Sequence, residues 1–117
     1  MFSFICYPKC TTCQKAEKWL SENNIQYQLR DIKAENPTAD ELREWYHKSG
    51  LPLKRFFNTS GLLYKSMGLK DRLPAMSEDE MLVLLASDGM LVKRPIIVGD
   101  DCVCVGFKES DWSEKLK

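Results

Sequence analysis

Cys10-Thr11-Thr12-Cys13 sets two thiols apart by two residues. On a helix that spacing brings them about one turn apart. An apolar run over Phe2–Cys6 precedes the pair, and a helical pattern follows it, with Ala16, Trp19 and Leu20 on one face and Lys15 and Lys18 elsewhere. The first thiol then stands at a helix start, where backbone N–H groups and the helix dipole favour a thiolate. Such a sulfur is a nucleophile, and a second thiol one turn away can resolve the adduct it forms. Cys13, the more buried and less acidic of the two, acts second. Lys9 adds positive charge, and the N–H groups of Thr11 and Thr12 suit an anion held in the loop. The same spacing is also half of a thiolate zinc site, with Cys102 and Cys104 as the other half. The plainer reading of Cys102, Cys104 and Cys6 is small apolar residues packed on strands. His47, the single histidine, has no thiol or acidic motif beside it and reads as a solvated helix position. Protease-like Cys–His chemistry is therefore not expected.

The elements around these residues can be read in order. Phe2–Cys6 predicts a strand ended by Pro8, a helix runs from Thr11 to Asn23-Asn24, and Ile25, Tyr27 and Leu29 alternate as a half-buried strand to Asp31. A β–α–β unit of this kind makes a right-handed crossover between parallel strands. Thr38–Glu41 and Ser77–Glu80 have capping-box spacing, each ahead of a helix, with Gly50 and Gly89 as stops. Between them, residues 51–75 are broken by Pro52, Asn58, Gly61, Gly68 and Pro74 into short helices. Ile96–Val98 and Cys102–Val105 form a hairpin about Gly99–Asp101, and residues 109–117 close the chain as a helix. The expectation is a single domain over 1–117, with a helical insertion at about 36–90 between β–α–β and β–β–α halves.

Bulk composition narrows the function classes. Seventeen basic and seventeen acidic residues give zero formal charge, so direct contact with nucleic acid is not expected. No stretch approaches the roughly 18 apolar residues that span a bilayer. Met1–Tyr7 lacks the basic start and length of a signal peptide, which makes a cytoplasmic location the expectation. Five cysteines, an odd number, do not suggest a disulfide framework there.

Two segments carry a resemblance. Tyr7-Pro8-Lys9-Cys10-Thr11-Thr12-Cys13-Gln14-Lys15-Ala16 and Lys93-Arg94-Pro95-Ile96-Ile97-Val98 resemble the glutaredoxin-dependent arsenate reductase and Spx family. Asp71-Arg72, Ser77–Glu80 and the Leu-rich helix after them fit the same family, so the resemblance spans essentially the whole chain. It implies an α/β, thioredoxin-like fold with a mixed four-stranded sheet. It also implies Cys10 as nucleophile, Arg94 as anchor for an anion or for the thiolate, and Pro95 as a cis proline. No bound cofactor is implied; glutathione, glutaredoxin or thioredoxin would supply electrons. Cys13 makes the Cys-x-x-Cys pair of Spx, a redox switch on a regulator that binds the RNA polymerase alpha subunit. Asn58 and Gly106 depart from the family's arsenate site, standing where it has further arginines. Their loss removes most of the bidentate oxyanion recognition. The expected function is a thiol–disulfide oxidoreductase of the arsenate-reductase-like class, with a redox-sensing regulator as the alternative.

Overall fold

The computed structural model describes residues 1–117. Strand β1 (Phe2–Cys6), helix α1 (Thr11–Glu22) and strand β2 (Tyr27–Asp31) make the first unit. β1 and β2 pair in parallel from Phe2↔Tyr27 to Cys6↔Asp31, with α1 as the crossover. The turn that returns the chain is made by Asn24, whose φ of 55° lies in the left-handed region that asparagine tolerates.

Between β2 and β3 the chain runs through α2 (Ala39–Ser49), α3 (Leu62–Ser66), α4 (Leu69–Arg72) and α5 (Glu78–Ser87), with short 3-10 turns at Leu53–Phe56, Leu73–Ala75 and Gly89–Leu91. Both capping boxes form, with Thr38 and Glu41 opening α2 and Ser77 and Glu80 opening α5. Gly50, at a φ of 68°, ends α2 as expected. Gly89 plays another part than the expected stop: α5 already ends at Ser87. Gly89 is needed because a Cβ there would run into the carbonyl oxygen of Ile32. Its smallness lets the end of the helical segment pack against the chain leaving β2.

Strands β3 (Ile96–Val98) and β4 (Val103–Val105) and helix α6 (Glu109–Leu116) complete the fold. β3 pairs antiparallel with both β1 and β4, giving the order β2-β1-β3-β4. This is the mixed four-stranded α/β sheet that the resemblance implies. β1 is buried on both faces, and alternation sends its side chains into two cores. Ile5 joins Leu42, Trp45, Phe56, Leu85 and Ile96 under the helical segment. Phe4 and Cys6 join Cys13, Ala16, Trp19, Leu20 and Trp112 under α1 and α6. Burying a side chain such as Leu20 stabilises the fold by about 2 kcal/mol. Leu29 does not follow the half-buried pattern expected of β2: it is 52% exposed, because β2 is an edge strand that the helices cover incompletely. No helix is long and apolar enough to cross a membrane.

Arg30 ties β2 to the helical segment. Its guanidinium forks onto Glu41 at 2.6 and 2.9 Å, donates to the carbonyls of Glu35 and Asn36, and lies 5.9 Å from the Trp45 ring centre. The Arg30 fork holds the Glu41 carboxyl at about 2, below the usual 4.5. A depressed carboxyl stabilises the fold above its unfolded value, and that contribution is lost as pH falls through the folded one. Glu41→Gln should therefore cost about 1 kcal/mol at pH 7, the scale of a solvent-screened pair. Urea midpoints should show the gap to wild type closing as pH falls from about 4.5 toward about 2. A gap independent of pH over that window contradicts the tether.

Candidate functional site

The end of β1 and the start of α1 position the thiol pair. After Cys6 the chain turns through Tyr7-Pro8-Lys9, and the turn is closed by Cys10 N–H donating to the Tyr7 carbonyl at 2.9 Å. Gln14 Nε2 reaches back to the Pro8 carbonyl at 3.0 Å and fixes the loop on the helix. Cys10 is the N-cap of α1, in extended conformation, and its side chain makes no capping hydrogen bond. No acidic residue occupies the first turn. The first-turn N–H groups of α1 therefore have no side-chain acceptor.

The two thiols differ in surroundings. Cys10 is half-buried, whereas Cys13 is 2% exposed and joins the buried stripe of Ala16, Trp19 and Leu20. Tyr7 N–H donates to Cys13 Sγ at 3.4 Å, and Cys6 lies in the same core as Cys13. The neighbouring Cys6 thiol, then burial, pushes the Cys13 thiol well above its ordinary range. Cys13 is thus held as a thiol, with the proton that a second-acting group must give up. Lys9, Thr11 and Thr12 are exposed around Cys10, at the same helix end.

Sheet register brings the second motif to this end. β1 and β3 pair Phe4↔Ile97 and Ile5↔Ile96, so the residues before β3 run alongside those after β1. The Arg94–Pro95 peptide is cis, as the resemblance implies, and Pro95 is buried. Arg94 meets Tyr7, with its guanidinium carbon 5.3 Å from the ring centre. Nε and Nη1 of Arg94 are buried and have no hydrogen-bond partner in the chain. Leaving buried donors unsatisfied costs about 1–3 kcal/mol, and a ring face offsets only part of it. The guanidinium borders a cavity of about 570 Å³ that Asn58, Ser60, Gly61, Leu62 and Met90 also line.

The positions without arginine have their own structural reasons. Asn58 lies in the Arg94 cavity, because Asn58 N–H donates to the Leu91 carbonyl at 2.8 Å and Lys93 N–H to the Phe56 carbonyl at 2.7 Å. Asn58 Oδ1 accepts from Ser60, and a Cβ on Gly61 would run into the Asn58 amide, so the loop folds around this side chain. Gly106 adopts a φ of 76°, donates to the Pro95 carbonyl at 2.7 Å and accepts from Trp112 Nε1 at 3.0 Å. Its backbone braces the cis proline, a conformation that disfavours an arginine there.

The other cysteines fall elsewhere. Cys104 is buried, and burial with neighbouring Cys102 raises its thiol to about 11. Cys102 is half-buried, not packed away as expected, because it precedes β4 in the turn, with Sγ 3.9 Å from the Lys115 carbonyl. No group of three or more His, Cys, Asp or Glu side chains is placed to hold a metal ion. His47 is exposed on α2 against Tyr46. Sequence reasoning passed over Tyr7, which contacts both Cys13 and Arg94. An aromatic residue between the strand end and Pro8 was the available signal.

Comparison with known proteins agrees with this geometry. The ArsC family profile matches residues 6–115. The chain is 52% identical over 112 residues to the uncharacterized protein YusI of Bacillus subtilis, covering 96% of this chain and 95% of that one. It superposes with a TM-score of 0.95 on a crystal structure of a protein related to the ArsC family from Bacteroides fragilis, at 53% identity, covering 97% and 95% of the two chains. It is also 29% identical over 112 residues to the global transcriptional regulator Spx of Staphylococcus epidermidis, covering 95% of this chain and 83% of Spx. With a sheet order, a thiol pair and an Arg-Pro motif arranged as that family's resemblance implied, the chain belongs to the ArsC family.

Proposed function

We infer that this protein is a thiol–disulfide oxidoreductase of the arsenate-reductase-like class. The observation that carries the reading is the division between its two thiols: Cys10 half-buried at a helix start, and Cys13 buried one turn later and held protonated. Cys10 attacks one sulfur of a disulfide substrate; a Cys10–substrate disulfide forms and the other half leaves as a thiolate. Cys13 then attacks Cys10 Sγ, the mixed disulfide breaks, and a Cys10–Cys13 disulfide remains. Glutathione, glutaredoxin or thioredoxin returns the pair to thiols. Arg94 anchors an anionic group of the substrate in its cavity, with Lys9, Thr11 and Thr12 holding negative charge near Cys10 and Pro95 setting the backbone beside it. One half-buried guanidinium with neutral Asn58 and Ser60 recognises a singly charged group better than arsenate, which favours disulfide over arsenate reduction.

A second reading is supported by the names of relatives. Spx is a global transcriptional regulator, and MgsR of Bacillus subtilis, 28% identical over 109 residues, is a regulatory protein. Under that reading the Cys10–Cys13 disulfide switches binding to a partner such as the RNA polymerase alpha subunit. Capture of that subunit by only one redox form of the protein supports it; equal capture, or none, by both forms removes it.

Coupled assays with oxidised glutathione, hydroxyethyl disulfide and arsenate test the enzyme. Turnover is expected on the disulfides and lost in Cys10→Ser. Arg94→Gln should raise KM for oxidised glutathione about tenfold, the loss of one charge-assisted hydrogen bond, and leave the neutral disulfide unchanged. An absence of turnover on all three substrates, with both thiols reduced at the start, overturns the reading.

A further inference from the structure

Cys6 has no part in the chemistry above, yet it is the cysteine set against Cys13 on the side away from solvent. It is the last residue of β1, 4% exposed, and its side chain enters the same core as Cys13. The amide that donates to Cys13 Sγ at 3.4 Å is that of Tyr7, the residue bonded directly to Cys6. Standard backbone geometry then puts Cys13 Sγ within about 6 Å of the Cys6 Cα, so the two side chains are neighbours in that core. Cys13 therefore has Cys6 beside it in the core, with Cys10 packed against the same core and less buried. An ordinary core strand needs no thiol at this position; valine or alanine would fill it without this reactivity.

We propose that Cys6 is a third exchange thiol, which takes over the Cys10–Cys13 disulfide and moves it inward to Cys6–Cys13. The step rests on the oxidoreductase reading, because the disulfide substrate supplies the oxidising equivalents. Cys6 loses its proton, and its sulfur attacks Cys13 Sγ. A Cys6–Cys13 bond forms, the Cys10–Cys13 bond breaks, and Cys10 leaves as a thiolate that takes up a proton. One disulfide is exchanged for another with no net oxidation or reduction. The resulting bond lies between two residues that are 4% and 2% exposed, sheltered from bulky reductants. Cys10 is meanwhile free again at the helix start. The protein thereby holds an oxidised form whose surface nucleophile remains reactive.

Trypsin separates the two pairings cleanly. Cleavage after Lys9 and Lys15 puts Cys6 on one peptide, 1–9, and both Cys10 and Cys13 on the next, 10–15. A Cys10–Cys13 disulfide stays within the second peptide, whereas a Cys6–Cys13 disulfide links the two. The protein is oxidised with glutathione disulfide, its free thiols are blocked in acid, and the digest is read by mass spectrometry without reduction. The linked pair is expected in wild type, and its loss in Cys10→Ser, Cys13→Ser and Cys6→Ala. Cys6→Ala should keep the disulfide within peptide 10–15. A wild-type digest with that internal disulfide and no linked pair overturns the proposal and leaves the oxidoreductase reading standing. A linked pair that survives Cys13→Ser overturns it too, since Cys6 would then pair with Cys10. Recovery of neither disulfide overturns both readings.

Discussion

β1 runs between β2 and β3 with both faces buried, and its five residues set nearly everything else in place. Ile5 on one face anchors the core under the helical segment; Phe4 and Cys6 on the other anchor α1 and α6. A slip of one residue in its pairing would exchange those faces, so the burial of Phe4 and Ile5 fixes the register strongly. With the register fixed, the chain must leave β1 at one point of the sheet. That point is where Tyr7 turns toward α1 and where the antiparallel neighbour brings in Arg94. The thiol pair and Arg94 come to the same end of the sheet because one strand cannot shift.

The site that results divides its labour by burial. Cys10 sits where a helix start offers N–H groups with no side-chain competitor. Cys13, one turn on, is in the core and keeps its proton through the neighbouring Cys6 thiol and through burial. Arg94 has two buried nitrogens without an acceptor in the chain, facing a cavity that holds neutral hydrogen-bonding groups and no second guanidinium. Oxyanions of high charge are best held by several guanidiniums at once. Gly106 stands where the family's arginine was expected, its backbone spent on bracing Pro95. The family's fold is retained, and the cavity beside Arg94 is lined by a single guanidinium.

Much of this was legible before any coordinates. The strand–helix–strand start, both capping boxes and the hairpin follow from local patterns that tertiary packing did not overrule, and the cis Arg94–Pro95 peptide from the family resemblance. Local pattern failed where the deciding contact is distant. Gly89 looked like a helix stop, yet its reason is the Ile32 carbonyl, far away in sequence. Leu29 alternated like a buried strand residue but lies on an edge. Asn58 marked a missing arginine, but only the pairing of residues 56–58 with 91–93 shows that it shares a cavity with Arg94. Cys6 read as core packing, and its place beside Cys13 depends on how α1 lies across the sheet.

The ordering of the thiols is the central claim, and trapping tests it most directly. Cys13→Ser protein is incubated with oxidised glutathione, and the adduct is located by mass spectrometry beside wild type. If Cys10 attacks and Cys13 resolves, the variant accumulates one glutathionyl group on Cys10, while wild type passes through that adduct to a disulfide and retains little of it. A glutathionyl group equally persistent on Cys10 of wild type, or an adduct on another cysteine with Cys10 left unmodified, contradicts the account.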